Sequence, residues 1–120
     1  MPITVKDLLE LKNFQSFHLI AGASGLDRPI ESAGILDWEF ARGITAESAK
    51  FERNSLVISS LLFAKEDTGL IRGAVKALIL SGVSALAYKG IFIKELPEDV
   101  IKLANEENFP VFIFETAYFE

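Results

Sequence analysis

Cysteine is absent from the 120 residues. That excludes disulfides, thiolate nucleophiles and Cys-type zinc sites, and it favours a reducing compartment, the cytoplasm, over secretion. Histidine occurs once, as His18, and the residues three and four positions on are Ala21 and Gly22 instead of carboxylates. One imidazole cannot build a multi-His metal site or a Cys–His relay, so neither a metal nor a cofactor is expected. Basic residues are in the minority, 12 Lys+Arg against 17 Asp+Glu, for a net charge of −5. Duplex DNA and anionic membranes attract basic faces, so direct contact with nucleic acid or with a membrane surface is not expected of this chain. No apolar run approaches the ~18–20 residues that span a bilayer. The opening Met1-Pro2-Ile3-Thr4-Val5-Lys6-Asp7 lacks the basic-then-apolar order of a signal peptide.

Half of the chain is hydrophobic, 24% is charged, and ten residues are Phe. These are globular proportions, with enough apolar side chains for one core and some left over for a partner. Thr4 and Asp7 ahead of Leu8, Leu9 and Leu11 mark a helix start, giving a short helix over 5–11. Phe17 to Ala21 and Ser32 to Leu36 read as two strands around a tight turn, Gly22-Ala23-Ser24-Gly25-Leu26-Asp27-Arg28-Pro29. Residues 37–54 are the least regular, with a short helix expected near 46–51.

Beyond residue 54 the pattern is clearer. Ser55-Leu56-Val57-Ile58-Ser59, Ala85-Leu86-Ala87-Tyr88 and Val111-Phe112-Ile113-Phe114 are continuous apolar runs. Between the first two, Leu70, Ile71, Ala74, Val75, Leu78 and Ile79 recur at helical spacing, with Asp67 and Thr68 placed to cap and Gly82 to close. Between the last two, Pro97-Glu98-Asp99 opens a helix with the stripe Val100, Ile101, Leu103, Ala104, and Asn108 can take a left-handed terminus. Strand–helix–strand–helix–strand with unalternated strands predicts an α/β fold: one small domain, a mostly parallel sheet of consecutive βαβ units with helices packed on it.

The chemistry on offer is sparse. Gly22 and Gly25 match neither a dinucleotide fingerprint nor a phosphate loop, so with Asp27, Arg28 and Pro29 they are expected to build a turn. Asp27 and Arg28 are expected to pair and pin it, the alternative being an anion bound by Arg28. His18 is expected to be a half-buried strand residue. In a parallel sheet, ligands gather just past the carboxyl ends of the strands. That rim holds Asp37, Trp38 and Glu39, then Ser59 and Ser60, then Lys89 and Gly90, then Glu115 and Thr116. Asp37, Trp38, Glu39, Ser59, Ser60 and Lys89 are the candidate ligand contacts. They offer hydroxyls, both charge signs and an aromatic plane, but no nucleophile–base–orienter set, so no catalytic residue is assigned.

Ile3-Thr4-Val5-Lys6-Asp7-Leu8-Leu9, then Gly22-x-x-Gly25-Leu26-Asp27-Arg28-Pro29-Ile30, then Ser55-Leu56-Val57-Ile58-Ser59-Ser60 form an ordered set. Leu80 to Lys89, Leu96 to Asn105 and Phe109-Pro110-Val111-Phe112 extend it over nearly the whole chain. The set resembles the N-terminal domain of PucR-type transcriptional regulators, the purine catabolism regulator-like domain. The family usually enters the strand at 55 with Gly-Glu-Leu and leaves it with Thr-Thr-Gly; here Asn54-Ser55-Leu56 and Ser59-Ser60-Leu61 stand instead. The resemblance implies a bacterial, cytoplasmic, non-enzymatic sensory domain, with residues 1–120 one part of a longer chain whose helix-turn-helix lies elsewhere. It implies a small-molecule effector of the purine-degradation class, or self-association into a homo-oligomer. Alternatives are a pure dimerisation module, and an accessory N-terminal domain of an enzyme of the HPr kinase or Mur ligase sort, whose sequence logic is similar.

Overall fold

A computed structural model of the chain describes residues 3–10, 17–35, 51–61, 64–91, 93 and 95–114. In chain order the elements are β1 (Ile3–Thr4), α1 (Val5–Leu9), β2 (His18–Ala21), a 3-10 turn (Ala23–Gly25), β3 (Pro29–Ile30), β4 (Ser32–Ile35), β5 (Ser55–Ser59), α2 (Gly69–Leu80), β6 (Ala85–Lys89), α3 (Glu98–Glu106) and β7 (Val111–Phe114). Among the described residues seven strands form two sheets. The larger has the order β2-β7-β6-β5-β4, and β1 pairs with β3 in a small antiparallel ribbon.

The three apolar runs lie side by side and parallel, as the unalternated hydrophobicity requires. Val57 pairs with Leu86, and Leu86 with Val111. Both faces of these strands are covered, so every second residue need not be polar. One face packs on α2 and α3: Val57, Leu86, Tyr88 and Val111 share a core with Ile71, Ala74, Val75, Leu78, Val100 and Ala104. The other packs on α1: Leu56, Ala85, Ala87, Phe112 and Phe114 meet Val5 and Leu8. There Phe17 stacks on Phe114 at 4.9 Å between ring centroids.

The segment 17–36 holds the two strands and the turn expected of it. The turn is present, but its two strands do not pair with each other. β2 runs antiparallel to β7 on one edge of the sheet, and β4 runs parallel to β5 on the opposite edge. The 22–31 stretch therefore crosses the whole sheet at the end where β5, β6 and β7 begin. The expected helix near 46–51 lies mostly outside the described residues.

The helix ends follow their side chains. Asp7 N–H donates to Thr4 Oγ1 at 3.1 Å and Thr4 N–H donates to Asp7 Oδ2 at 3.0 Å, a reciprocal cap on α1. Gly69 N–H donates to Asp67 Oδ1 at 3.0 Å at the start of α2, where Thr68 contributes no side-chain bond. Gly82 takes φ +81° just past α2, and Asn108 takes φ +52° just past α3. Among the described residues no helix is long and apolar enough to cross a membrane.

Candidate functional site

The two ends of the parallel sheet do different work. At the amino ends, Gly22 and Gly25 lie against the loop that feeds β7. A Cβ on Gly22 would stand 2.0 Å from the Phe109 carbonyl oxygen, and one on Gly25 would stand 1.9 Å from that of Asn108. Gly22 also needs its left-handed φ of +78°; Gly25 does not, and is required by close approach alone. Gly22 N–H donates to Asn105 Oδ1 at 2.8 Å.

Arg28 does not pair with Asp27, which is exposed. Its guanidinium donates instead to the Val83 carbonyl at 3.1 Å and to the Glu107 carbonyl at 3.4 Å, tying the turn to the entries of β6 and β7. With five N–H donors the guanidinium can serve two separate carbonyls at once. The Pro29 carbonyl accepts from the Ser84 hydroxyl. The Leu26 and Arg28 carbonyls accept from the first-turn N–H groups of Lys6 and Val5 on α1. Apart from the exposed Asp27, the polar groups of the turn named here are thus spent on other parts of the chain, which makes the Gly-x-x-Gly-Leu-Asp-Arg-Pro stretch a clasp.

At the carboxyl ends, β4 runs parallel beside β5, the strand direction that the rim assignment assumed. Register aligns His18, Ile113, Tyr88 and Ser59 in one lateral row on the α2/α3 side. Ser59 is buried, and Leu61 N–H donates to its Oγ at 2.9 Å. Ser60 follows it, half-buried. Lys89, half-buried, pairs in register with Phe114 and alternates to the α1 side, away from Ser59. The rim therefore splits: Ser59 and Lys89 share an end of the sheet but occupy opposite faces. Asp37, Trp38 and Glu39, like Glu115 and Thr116, lie outside the described residues. His18 is exposed instead of half-buried, because β2 is an edge strand. Three strand spacings separate it from Ser59, roughly 14 Å, too far for a relay.

Leu61 is held at φ +58° while fully buried. It stands where the resembled family carries the glycine of Thr-Thr-Gly, and here a left-handed backbone carries a bulky side chain. Such a conformation costs a leucine about 1–2 kcal/mol, offset by the apolar contacts of its buried side chain.

Tyr88 is the polar group that sequence reading missed. It is fully buried, and among the described residues its hydroxyl has no hydrogen-bond partner. Burial pushes its pKa up from 10.0 to about 12, so the group stays a neutral O–H donor at physiological pH. It lines a cleft of about 290 Å³ together with Ile20, Glu95, Leu96 and Ile101. The edge strand β2 supplies one wall, the approach to α3 and its first turns the other, and β6 the floor. A broader, open groove of about 560 Å³ continues from Ile101 along Glu98, Lys102, Asn105 and Glu106. The available signal was Tyr88 itself: a phenol closing an otherwise aliphatic buried run needs a partner for its hydroxyl. Among the described residues no group of His, Asp or Glu is arranged to hold a metal.

The comparisons with known proteins agree with this architecture. Residues 7–119 match the model of the purine catabolism regulatory protein-like family, PucR. The chain is 20% identical over 111 residues to the purine catabolism regulatory protein of Bacillus subtilis (strain 168), covering 91% of this chain and 20% of that protein. The chain thus spans about a fifth of the length of that curated relative. With the family match running from the end of the α1 cap past β7, this chain belongs to the PucR, or purine catabolism regulatory protein-like, family.

Proposed function

We propose that this chain is the non-enzymatic regulatory domain of a PucR-type transcription regulator, and that it senses a small metabolite. The family match over residues 7–119 carries the reading. The acidic balance of −5 supports it, since DNA contact would then fall to another part of the regulator. The site chemistry supports it too. The rim hydroxyl of Ser59 lies roughly 14 Å from the lone histidine, whereas the cleft beside Ile20, Leu96 and Ile101 offers apolar walls with the Glu95 carboxylate at its edge, the mark of a binding pocket. Purine-degradation metabolites are the first effectors to try, because the Bacillus subtilis relative is named for purine catabolism.

Signal transmission requires that the effector bind two arrangements of the protein unequally. The test is a thermal-shift screen of the chain against purine-degradation intermediates. A ligand present at about 100 times its Kd adds about 2.7 kcal/mol, a rise of several degrees in Tm. A Tm that stays unmoved by every intermediate counts against metabolite sensing by this domain.

A second reading, self-association, draws on α2. Leu70 and Leu80 lie on one stripe of that helix and are 46% and 75% exposed. Light scattering that shows a concentration-dependent dimer, dissolved by Leu80→Lys, would favour it.

A further inference from the structure

We infer that the open groove along α3 is a docking site for one helix of a partner protein, and that the partner helix carries a basic, an acidic and a basic side chain at four-residue spacing beside an apolar stripe. The inference goes beyond metabolite sensing and does not depend on it.

The groove is built from one stripe of α3. Glu98, Ile101, Lys102, Asn105 and Glu106 stand at i, i+3, i+4, i+7 and i+8, the spacing of a single helix face, and line about 560 Å³. The stripe differs from the one that buries Val100 and Ala104 in the core. A face of this spacing is what a second helix packs against. Ile101, half-buried, is its apolar floor, and the aliphatic stems of the flanking Glu and Lys side chains extend it. Asn105 accepts from Gly22 N–H at 2.8 Å, so the groove is tied to the clasp at that end. The nine residues of α3 run about 13 Å, enough for two to three turns of a partner.

The charges name the partner. Glu98, Lys102 and Glu106 are exposed and follow one another a turn apart. Among the described residues none of the three forms an ion pair; the pair that α3 makes is Asp99 with Arg72, at 3.7 Å. The order minus, plus, minus is met by plus, minus, plus. That order reads the same from either end, so it holds for a parallel or an antiparallel partner. Glu95 and Glu107, exposed beyond the two ends of this row, add negative charge, so the groove repels phosphate surfaces and draws a basic helix. A second copy does not supply the pattern. Helix α1 has only five residues, and α2 offers Arg72, Lys76 and Leu80 at this spacing, with no acid among them.

The experiment titrates two synthetic alanine-rich helical peptides with a leucine stripe into the ¹⁵N-labelled chain. One carries Lys, Glu, Lys at four-residue spacing beside the stripe; the other carries Glu, Lys, Glu. The first is expected to shift the amide signals of residues 98–106 saturably and to bind about tenfold more tightly than the second. Combining Glu98→Lys, Lys102→Glu and Glu106→Lys should reverse the preference. That variant is still net negative, so attraction to overall charge would keep the original order. Lys102→Glu alone should narrow the preference, a measurement that stands even if the triple variant fails to fold. No shift along α3 with either peptide, equal affinity for the two, or an unreversed preference in a folded triple variant would overturn the inference. So would α3 signals that move with the chain's own concentration and without peptide, which would assign the groove to a second copy.

Discussion

Replacing Gly25 by alanine tests whether the Gly-x-x-Gly turn is a clasp. The added methyl carbon would lie 1.9 Å from the Asn108 carbonyl oxygen and 2.8 Å from both the Asn108 carbonyl carbon and Pro110 Cδ. Two of these are backbone atoms in the entry to β7, so the turn itself must move. Overpacking of this kind costs about 1–3 kcal/mol. Gly22→Ala carries the same clash, at 2.0 Å from the Phe109 carbonyl oxygen, and adds a left-handed φ of +78°. The left-handed backbone contributes about 1–2 kcal/mol more, for a total of about 2–5 kcal/mol. Gly34→Ala is the control, because nothing lies within 4 Å of its Cβ position. It should stay within about 0.5 kcal/mol of wild type. Urea denaturation of the three variants should rank them Gly34→Ala, Gly25→Ala, Gly22→Ala in increasing loss. A stability of 5–15 kcal/mol is usual for a domain, so Gly22→Ala could remove a third of it or more. Gly25→Ala as benign as Gly34→Ala would refute the close-approach argument and reopen the turn to a ligand role.

Leu61 and Tyr88 give two further tests. Leu61→Ala should lose about 2–5 kcal/mol through the buried cavity, and Leu61→Gly should be no less stable than Leu61→Ala in the same denaturation assay, reversing the usual ranking, because glycine relieves the φ of +58°. Tyr88 has a folded-state pKa raised from 10.0 to about 12, so the unfolded chain releases that proton first. Stability should be intact below pH 10 and fall between pH 10 and about pH 12, and Tyr88→Phe should flatten that fall in denaturation curves taken across the range.

The centre of the fold was legible in the residues, and its margins were not. β5, β6 and β7 announce themselves because a strand covered on both faces carries an unbroken apolar run, and α2 and α3 show their buried stripes at helical spacing. Strand partners at the sheet edges depend on contacts between residues far apart in sequence, which no local pattern encodes. Phe17 to Ala21 and Ser32 to Leu36 were readable as strands, yet nothing in them tells that β2 joins β7 antiparallel while β4 joins β5 parallel.

The site was legible to the same degree. The parallel rim followed from strand order, but the splitting of Ser59 and Lys89 onto opposite faces depends on register. Arg28 looked like a partner for Asp27 because sequence shows only neighbours; the Val83 and Glu107 carbonyls are 55 and 79 residues away. That the Tyr88 hydroxyl finds no partner among the described residues is a property of the assembled layers and not of any segment.

The most direct test of the account is calorimetric titration of the chain with purine-degradation intermediates. The account predicts saturable binding of at least one such compound. No binding of any of them would contradict it.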